Sequence, residues 1–295
     1  MYKVASFYKF KEFSAEQVED LKLTLRKVAN EHRIEGLFLL ATEGVNSTFC
    51  GSEKYVTAFI ERLKIWFGPE LDFKFSYSEK RPFYSLRVTI KQEIVTSWHD
   101  GAVKTKVRNH LSAEEWNKMM SQEDIQIVDT RNYYEFELGH FNGAINPSIT
   151  HFVHLPEAVD SLNLDKDKPT LIYCTGGIRC EKAIDAFEDK GFKSVYQLDG
   201  GILNYFEKTS ENKFVGECFV FDDRVAVDAN MQPSNVYVLC SMCGQPGSEI
   251  TPCSQCGDDA KVCLRCIEAN QEVVFCSKNC AHHFKLKSEQ SGAIA

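Results

Sequence analysis

The sequence predicts an α/β protein of 295 residues that is built from three parts. Over residues 1–98, short apolar runs alternate with two amphipathic segments, which is typical of a sheet covered by helices on one face. Over residues 110–212, strands alternate regularly with helices, which predicts a parallel sheet with helices on both faces. Residues 213–295 form a C-terminal extension with a cysteine-dense stretch that is too small to hold a core unaided.

Composition places the chain among ordinary globular proteins, with 43% hydrophobic and 26% charged residues. No run approaches the ~20 apolar residues that span a bilayer, and the start of the chain does not resemble a signal peptide. We therefore expect a cytoplasmic protein without a membrane partner. The net charge of −8 disfavours non-specific binding to nucleic acid. The 12 cysteines indicate metal binding or thiol chemistry, because disulfides rarely persist in the cytosol.

The first part is predicted to be a ferredoxin-like (acylphosphatase-like) sandwich of βαββαβ order. Ser14 and Gln17 form a capping box that begins the first helix, and Ser52 is expected to cap the second. The predicted strands cover residues 4–8, 37–41, 45–49, 71–77 and 84–90.

The second part is predicted to place its functional groups where its parallel strands end. Ser112 and Glu115 form another capping box, and strands are expected at 125–129, 170–173 and 194–198. Open parallel sheets bind ligands beyond the carboxyl ends of their strands. Cys174 directly follows one of these strands, so it is the first candidate for a catalytic residue.

The segment after this strand has the composition of a loop that stabilises a thiolate. Gly176 and Gly177 allow backbone N–H groups to point inward, and Arg179 adds a positive charge. A cysteine-dependent phosphatase would need arginine six positions after the cysteine, and that position is Cys180. An inert buried cysteine is the alternative. The predicted active-site loop consists of Cys174, Thr175, Gly176, Gly177, Ile178, Arg179 and Cys180.

A series of motifs in the central part resembles the rhodanese family. In chain order they are Asp129-Thr130-Arg131, Glu135-Phe136, Gly139-His140-Phe141, Gly143-Ala144-Ile145-Asn146, the Cys174 loop and Leu198-Asp199-Gly200-Gly201-Ile202. The resemblance implies that Cys174 carries a persulfide or related sulfur intermediate. It also implies that Asp129, Arg131 and Glu135 form structural ion pairs, and that His140 orders the motif.

Cys180 lies six residues after Cys174 and falls in the predicted helix. It can resolve a sulfenate or persulfide on Cys174 by forming a disulfide, as paired redox cysteines do. A cysteine that only packs on the helix face is the equal alternative.

The flanks of the chain resemble a narrower family, the tRNA uridine(34) hydroxylases. The matching stretches are Gly36 to Thr48, Thr175 to Lys182 and Gly216 to Asp222, so the resemblance covers nearly the whole chain. It implies oxygen-dependent conversion of the wobble uridine in the anticodon stem-loop to 5-hydroxyuridine. We find no facial His/carboxylate motif and no flavin or nucleotide fingerprint in the sequence. Cys174 is therefore expected to act as an oxidised species, as a persulfide or by adding to C6 of uracil.

A basic and aromatic stretch is the candidate RNA surface. Between Lys74 and Arg108, eight basic residues (Lys74, Lys80, Arg81, Arg87, Lys91, Lys104, Lys106, Arg108) face three acids (Glu79, Glu93, Asp100), and Phe83, Tyr84 and Trp98 lie among them. Basic groups follow phosphates and aromatic rings stack on unpaired bases. The alternative for this stretch is a solvated strand face. For Glu43 to Asn46, which can line a cleft facing Cys174, the alternative is a tight turn. The candidate substrate cleft consists of Glu43, Asn46, Lys80, Arg81 and Tyr84.

The cysteine-rich segment has the spacing of paired zinc knuckles. The pairs are Cys240/Cys243, Cys253/Cys256, Cys263/Cys266 and Cys276/Cys280. Eight sulfurs suit two structural zinc ions, and an interleaved arrangement would join the first pair to the third and the second to the fourth. His282 or His283 can replace a terminal cysteine, and disulfides or an iron–sulfur cluster are the alternatives to zinc.

Three functions are compatible with these patterns. The leading one is a tRNA-modifying enzyme, which is favoured by resemblance. The second is a sulfurtransferase that moves sulfane sulfur from thiosulfate or a donor protein through Cys174. The third is a zinc-bearing binding module with an inactive central domain, which the intact Cys174 loop disfavours.

Overall fold

The computed structural model describes residues 1–98 and 109–292. Its contacts divide the chain into two compact units, Met1–Asp223 with Val227–Pro233, and Arg224–Ala226 with Ser234–Ala295. The predicted boundaries near residues 98 and 212 stay a prediction, because the first unit contains both of the first two parts. Among the described residues, no helix is long and apolar enough to cross a membrane.

The N-terminal part of the first unit is a five-stranded sheet covered by two helices. The elements are β1 (Tyr2–Phe10), α1 (Ala15–Glu31), β2 (Glu35–Ala41), β3 (Gly44–Gly51), α2 (Glu53–Phe67), β4 (Lys74–Ser78) and β5 (Leu86–Ile90). The strand order is β4-β1-β3-β2-β5, in which β5 pairs parallel to β2 at the edge. This is the βαββαβ arrangement that the sequence predicts, followed by a fifth strand that lies within the predicted range 84–90.

Alternation along the strands divides the two faces of this sheet. Phe7 on β1 and Phe49 on β3 join the apolar faces of α1 and α2 in one buried core. The neighbouring Tyr8 therefore points to the opposite face. Ser14 caps α1 with the predicted capping box. Ser52 occupies the N-cap of α2 as predicted, although its side chain makes no capping hydrogen bond.

The central part of the first unit is a parallel sheet with helices on both faces, as the sequence predicts. Its elements are β6 (His110–Leu111), α3 (Ala113–Met120), β7 (Gln126–Asp129), α4 (Tyr133–Leu138), β8 (Gly139–Phe141), α5 (Leu155–Ser161), β9 (Thr170–Tyr173), α6 (Ile178–Asp189), β10 (Val195–Leu198) and α7 (Gly201–Lys208), with a 3-10 turn at Phe152–His154. The strand order is β6-β10-β9-β7. Asp129, Cys174 and Asp199 all stand where these strands end.

Two separate apolar cores cover the faces of this parallel sheet. Leu171 and Tyr173 point into a core with α3 and α7, while Ile172 and Cys174 point into a core with α5 and α6. Because both faces are buried, the strands are apolar throughout.

The remaining elements are short. They are β11 (Phe214–Gly216), β12 (Cys218–Phe219), β13 (Ala226–Val227), β14 (Val238–Leu239), β15 (Pro246–Gly247), β16 (Glu249–Pro252), β17 (Asp259–Val262), α8 (Leu264–Ala269) and α9 (Lys278–Gly292). In the second unit the hairpin of β16 and β17 contributes Ala260 and Val262 to a small core that also contains cysteines. So small a core agrees with the expectation that this segment needs another source of stability.

Candidate active site and cysteine clusters

The Cys174 loop is held from two sides by backbone hydrogen bonds. The Gly177 N–H lies 3.1 Å from Cys174 Sγ and donates to it, and the nearby backbone N–H groups of Arg179 and Cys180 also lower the pKa of this thiol. From the other side, the first amides of α7 donate to the loop: Ile202 N lies 3.0 Å from Cys174 O, and Leu203 N lies 3.1 Å from Thr175 O. The loop is thus a rigid cradle for an anionic sulfur.

Glycine is required where the loop meets α7. Gly177 has a φ of +96°, and a Cβ there would lie 3.1 Å from the Tyr8 hydroxyl. A Cβ on Gly201 would lie only 2.5 Å from Cys174 O. At the adjoining Gly176 a Cβ would meet no atom within 4 Å, so crowding does not require glycine at this position.

The environment of Cys174 favours its thiolate. Complete burial raises the pKa of this thiol, but the hydrogen bond from Cys180, the charge of Arg179 and the surrounding amides outweigh it and lower the pKa to about 6. Burial and the neighbouring Cys174 sulfur raise the pKa of Cys180 well above its ordinary value. At neutral pH the pair therefore consists of a thiolate on Cys174 and a thiol on Cys180.

The positive charge beside the loop is fixed by a buried ion pair. Arg179 donates two hydrogen bonds to the carboxylate of Glu135, of 2.6 and 2.8 Å, and a third of 3.2 Å to Thr175 Oγ1. The charge of Arg179 holds the pKa of Glu135 below its ordinary value although burial opposes this. The pair thus keeps the guanidinium at a fixed place near Cys174.

The neighbouring motif residues brace the sheet. Asp129 accepts hydrogen bonds from the backbone and the guanidinium of Arg131, the shortest being 2.6 Å, and both side chains are fully buried. Arg131 also donates to the Gly139 carbonyl at 2.6 Å. His140 stacks on Phe136 at 4.1 Å between ring centroids, which places it within its own motif. The sequence predicts structural ion pairs for Asp129, Arg131 and Glu135 and an ordering role for His140. These roles remain predictions, and the contacts above describe where the side chains lie.

Tyr8 is a neighbour of the loop that sequence reasoning missed. Its hydroxyl donates to Glu181 Oε1 at 3.0 Å, in the first turn of α6. His110 lies between Glu181 and Asp199, at 3.2 and 3.3 Å, and these two carboxylates raise its pKa to about 9. The alternation of β1 could have identified Tyr8 as facing away from the helices, but nothing in the pattern says what covers that face.

Glu43 and Asn46 form a buried anchor rather than an open surface. Glu43 accepts hydrogen bonds from the Ile94 N–H at 2.7 Å and from Lys182 Nζ at 3.0 Å, and Asn46 donates to Ile94 O at 3.1 Å. Lys182 also contacts Glu93 at 2.6 Å. These bonds tie α6, which begins in the Cys174 loop, to the N-terminal sheet. Whether Glu43 and Asn46 contact a substrate stays a prediction.

The structure does not gather the five residues of the candidate cleft. Arg81 pairs with Glu35 and lies 5.6 Å from the ring centroid of Tyr84, which is 71% exposed. Lys80 is exposed beside them. Glu35 begins β2, and Glu43 lies beyond its other end, so a strand of about 20 Å separates the two groups.

Other members of the basic stretch are already engaged. Lys74 is buried and pairs with Asp72 at 2.9 Å, and Trp98 packs on Phe152 at 5.3 Å between ring centroids. Asp100, Lys104, Lys106 and Arg108 lie outside the described residues. Arg81 and Tyr84 are thus the members of the stretch that combine an exposed ring with a cation.

The second unit gathers its eight paired cysteines into two sets. The sets are Cys240, Cys243, Cys263 and Cys266, and Cys253, Cys256, Cys276 and Cys280, with all sulfurs of a set within 4.8 Å of one another. Neighbouring sulfurs such as those of Cys256 and Cys276 lie 3.7 Å apart. Tetrahedral zinc with bonds of about 2.3 Å requires a separation of about 3.8 Å. Both sets can hold a metal ion, with Cys280 and neither histidine completing the second.

Comparison with known proteins finds matches along the chain. Three family models match: a UPF0176 acylphosphatase-like domain at residues 2–94, a rhodanese-like domain at 112–208 and a rhodanese C-terminal domain at 215–281. A relative from Bdellovibrio bacteriovorus is 41% identical over 99% of this chain and 84% of its own length, and one from Teredinibacter turnerae is 38% identical over 90% and 84%. Both relatives are named tRNA uridine(34) hydroxylase, as is one from Prochlorococcus marinus that is 38% identical over 83% and 82%.

Proposed function

The chain belongs to the tRNA uridine(34) hydroxylase family, and from this premise we propose that it converts the wobble uridine of tRNA to 5-hydroxyuridine with dioxygen and the thiolate of Cys174. The hydroxylation of uridine 34 follows from the family. The choice of Cys174, and of dioxygen as co-substrate, is the proposal. The observation that carries it is the sulfur cradle, which stabilises an anionic sulfur at neutral pH.

A cradled thiolate has a defined task in chemistry at C5 of uracil. Addition of Cys174 Sγ to C6 places negative charge on the C4 oxygen and C5, which makes C5 reactive toward oxygen. After one oxygen atom has been transferred to C5, loss of the C5 proton and elimination of the sulfur restore the ring, while two electrons from a thiol donor and two protons reduce the second oxygen atom to water. The amides of Gly177, Arg179 and Cys180 stabilise the thiolate before attack and again as it leaves.

We further propose that the anticodon stem-loop is the part of tRNA that binds. Arg81 and Tyr84 support an unpaired nucleotide: the ring is exposed, and the guanidinium beside it carries the charge that phosphates attract. Zinc is the metal we propose for the two cysteine sets, because all eight ligands are sulfur and the sets have tetrahedral spacing.

The decisive experiment compares the wild type with Cys174→Ser, using undermodified tRNA and mass spectrometry of its nucleosides. We expect 5-hydroxyuridine from the wild type and a loss of at least about a thousandfold in the variant, since the hydroxyl is a far weaker nucleophile. The matched control is Cys218→Ser, which changes another fully buried thiol in the first unit.

The same assay separates the competing sulfurtransferase function. Because the cradle also fits an anionic persulfide, thiosulfate is supplied in a parallel reaction. Formation of thiolated uridine without 5-hydroxyuridine would favour sulfur transfer. A Cys174→Ser variant that still forms 5-hydroxyuridine would refute the proposed role of this residue.

A further inference from the structure

Cys180 lies close to Cys174 but has no role in the proposed attack on uracil. Its side chain is fully buried and belongs to the same buried cluster as Cys174. On its other side, Thr130 Oγ1 lies 3.7 Å from Cys180 Sγ, and the same hydroxyl donates to Tyr173 O at 2.9 Å. Thr130, which is itself fixed to β9, thus holds Cys180 within the cluster that contains the reactive sulfur.

Hydroxylation by dioxygen has an electron requirement that uridine alone does not meet. One oxygen atom enters the product and the other is reduced to water, which consumes two electrons beyond those of the C5–H bond. Two neighbouring thiols hold that number of electrons and release them by forming one disulfide.

We infer that Cys174 and Cys180 form a catalytic dithiol that supplies both electrons for hydroxylation. This inference rests on the proposed function. Uridine, dioxygen, the Cys174 thiolate, the Cys180 thiol and one proton from solvent give 5-hydroxyuridine, water and the Cys174–Cys180 disulfide. The C5–H bond, the O–O bond and one S–H bond break, while one C5–O, one S–S and three O–H bonds form, the third O–H with the proton from solvent. Dioxygen is the oxidant, the two sulfurs are oxidised, and an external dithiol reduces the disulfide between turnovers.

The surroundings of the pair suit this cycle. Cys174 follows β9 and Cys180 is in the first turn of α6, so a short loop and one helical turn join them. Both side chains lie in one buried cluster, and Gly177 joins the two residues by donating to Cys174 Sγ at 3.1 Å and accepting from the Cys180 N–H at 3.0 Å, so an S–S bond requires only a local adjustment of the loop. Arg179 lies between them in sequence and remains paired with Glu135, which keeps a positive charge near whichever sulfur is anionic.

The test is the stoichiometry of one turnover. The full chain is reduced, freed of reductant by desalting under argon and mixed with undermodified tRNA in oxygenated buffer. We expect about one 5-hydroxyuridine per protein molecule and, in the same sample, a peptide in which Cys174 is linked to Cys180. Addition of dithiothreitol should then restart the reaction.

The variant Cys180→Ser keeps Cys174 and removes the second thiol. Without reductant we expect its yield to fall at least about tenfold below the wild type, and dithiothreitol should restore part of it by supplying electrons from outside. Cys218→Ser is the control, because it makes the same change at another fully buried cysteine and should retain the disulfide and the yield. The stoichiometry of the wild type tests the inference even if Cys180→Ser does not fold.

The outcomes separate this inference from the proposed function. Repeated turnover of the wild type without reductant, with both thiols still reduced, would overturn the dithiol while leaving hydroxylation through Cys174 in place. No 5-hydroxyuridine from the wild type under any reducing condition would overturn the proposed function and the inference with it. One product and one disulfide per chain support both.

Discussion

The two regions rich in chemically important cysteines use sulfur in opposite ways. Around Cys174, one sulfur is surrounded by amides, an arginine and a thiol, all held in place by an extended core. In the second unit, eight sulfurs gather in two sets within a core of few apolar residues. The fold therefore positions the first sulfur, whereas in the second region a metal ion bound by the cysteines would hold the fold together.

Removal of metal should unfold the second unit. Structural zinc sites contribute roughly 10–16 kcal/mol to folding in small domains, so a chelator or the variant Cys253→Ser should unfold this region. Metal analysis and limited proteolysis measure the loss. Cys218→Ser, which lies outside both sets, should retain the metal. Protein purified without chelator that holds no zinc would contradict the assignment.

Loss of the buried charge of Glu135, near Cys174, should have the next largest effect on stability. Glu135→Gln leaves Arg179 without its carboxylate partner inside the protein and should cost about 3–5 kcal/mol in the free energy of unfolding. Urea denaturation measures it. Glu137→Gln on the same helix is the control, because this exposed carboxylate should cost less than about 1 kcal/mol. Equal costs would show that the pair does not brace the loop.

The pKa of Cys174 tests whether protein groups, rather than a metal ion, stabilise its thiolate. Its pKa of about 6 lies below the ordinary value of about 8.5. The thiolate therefore adds to the free energy of unfolding above pH ~8.5, and this contribution is lost as pH falls through about 6. The difference in thiolate absorbance between wild type and Cys174→Ser reports this titration. Replacing the ion pair by Glu135→Gln with Arg179→Met should raise the pKa by about one unit. An unchanged midpoint would exclude Arg179 as a cause.

The smallest effect is expected at the edge of the first region. His110 is raised to a pKa of about 9 by Asp199 and Glu181, so its contribution is present below the unfolded value of about 6.5 and is lost as pH rises through about 9. Because its side chain is 40% exposed, His110→Gln should cost less than about 1 kcal/mol at neutral pH. Thermal denaturation across this range checks it, with the exposed His154→Gln as control. A loss that does not depend on pH would contradict the linkage.

Local sequence patterns predicted the features that depend on local geometry. The capping boxes at Ser14 and Ser112, the three main strands of the parallel sheet and the position of Cys174 at a strand end all follow from short-range rules. The interleaved cysteine sets likewise agree with the spacing of the pairs. At Ser52 the pattern located the N-cap of α2 correctly, but it did not show that the side chain makes no capping hydrogen bond.

Local sequence patterns could not predict contacts between residues that are far apart in the chain. Tyr8 and Glu181 are 173 positions apart, and Glu43 and Lys182 are 139 apart, so both contacts depend on how the N-terminal sheet packs against α6. Lys74 illustrates the opposite error: composition assigns it to a basic surface, whereas the sheet buries it beside Asp72. Burial and pairing are properties of the packed sheets, and charge counts along the chain do not contain them.

The interleaving of the cysteine sets also bears on how the chain is made. Cys253 and Cys256, the first half of the second set, lie in the loop that the first set closes. At roughly 5–20 residues per second, Cys266 leaves the ribosome about one second before Cys280 does. The order of synthesis therefore makes the first set ready to load metal before the second. A nascent chain stopped between Cys266 and Cys276 would carry all four ligands of the first site and two of the four ligands of the second.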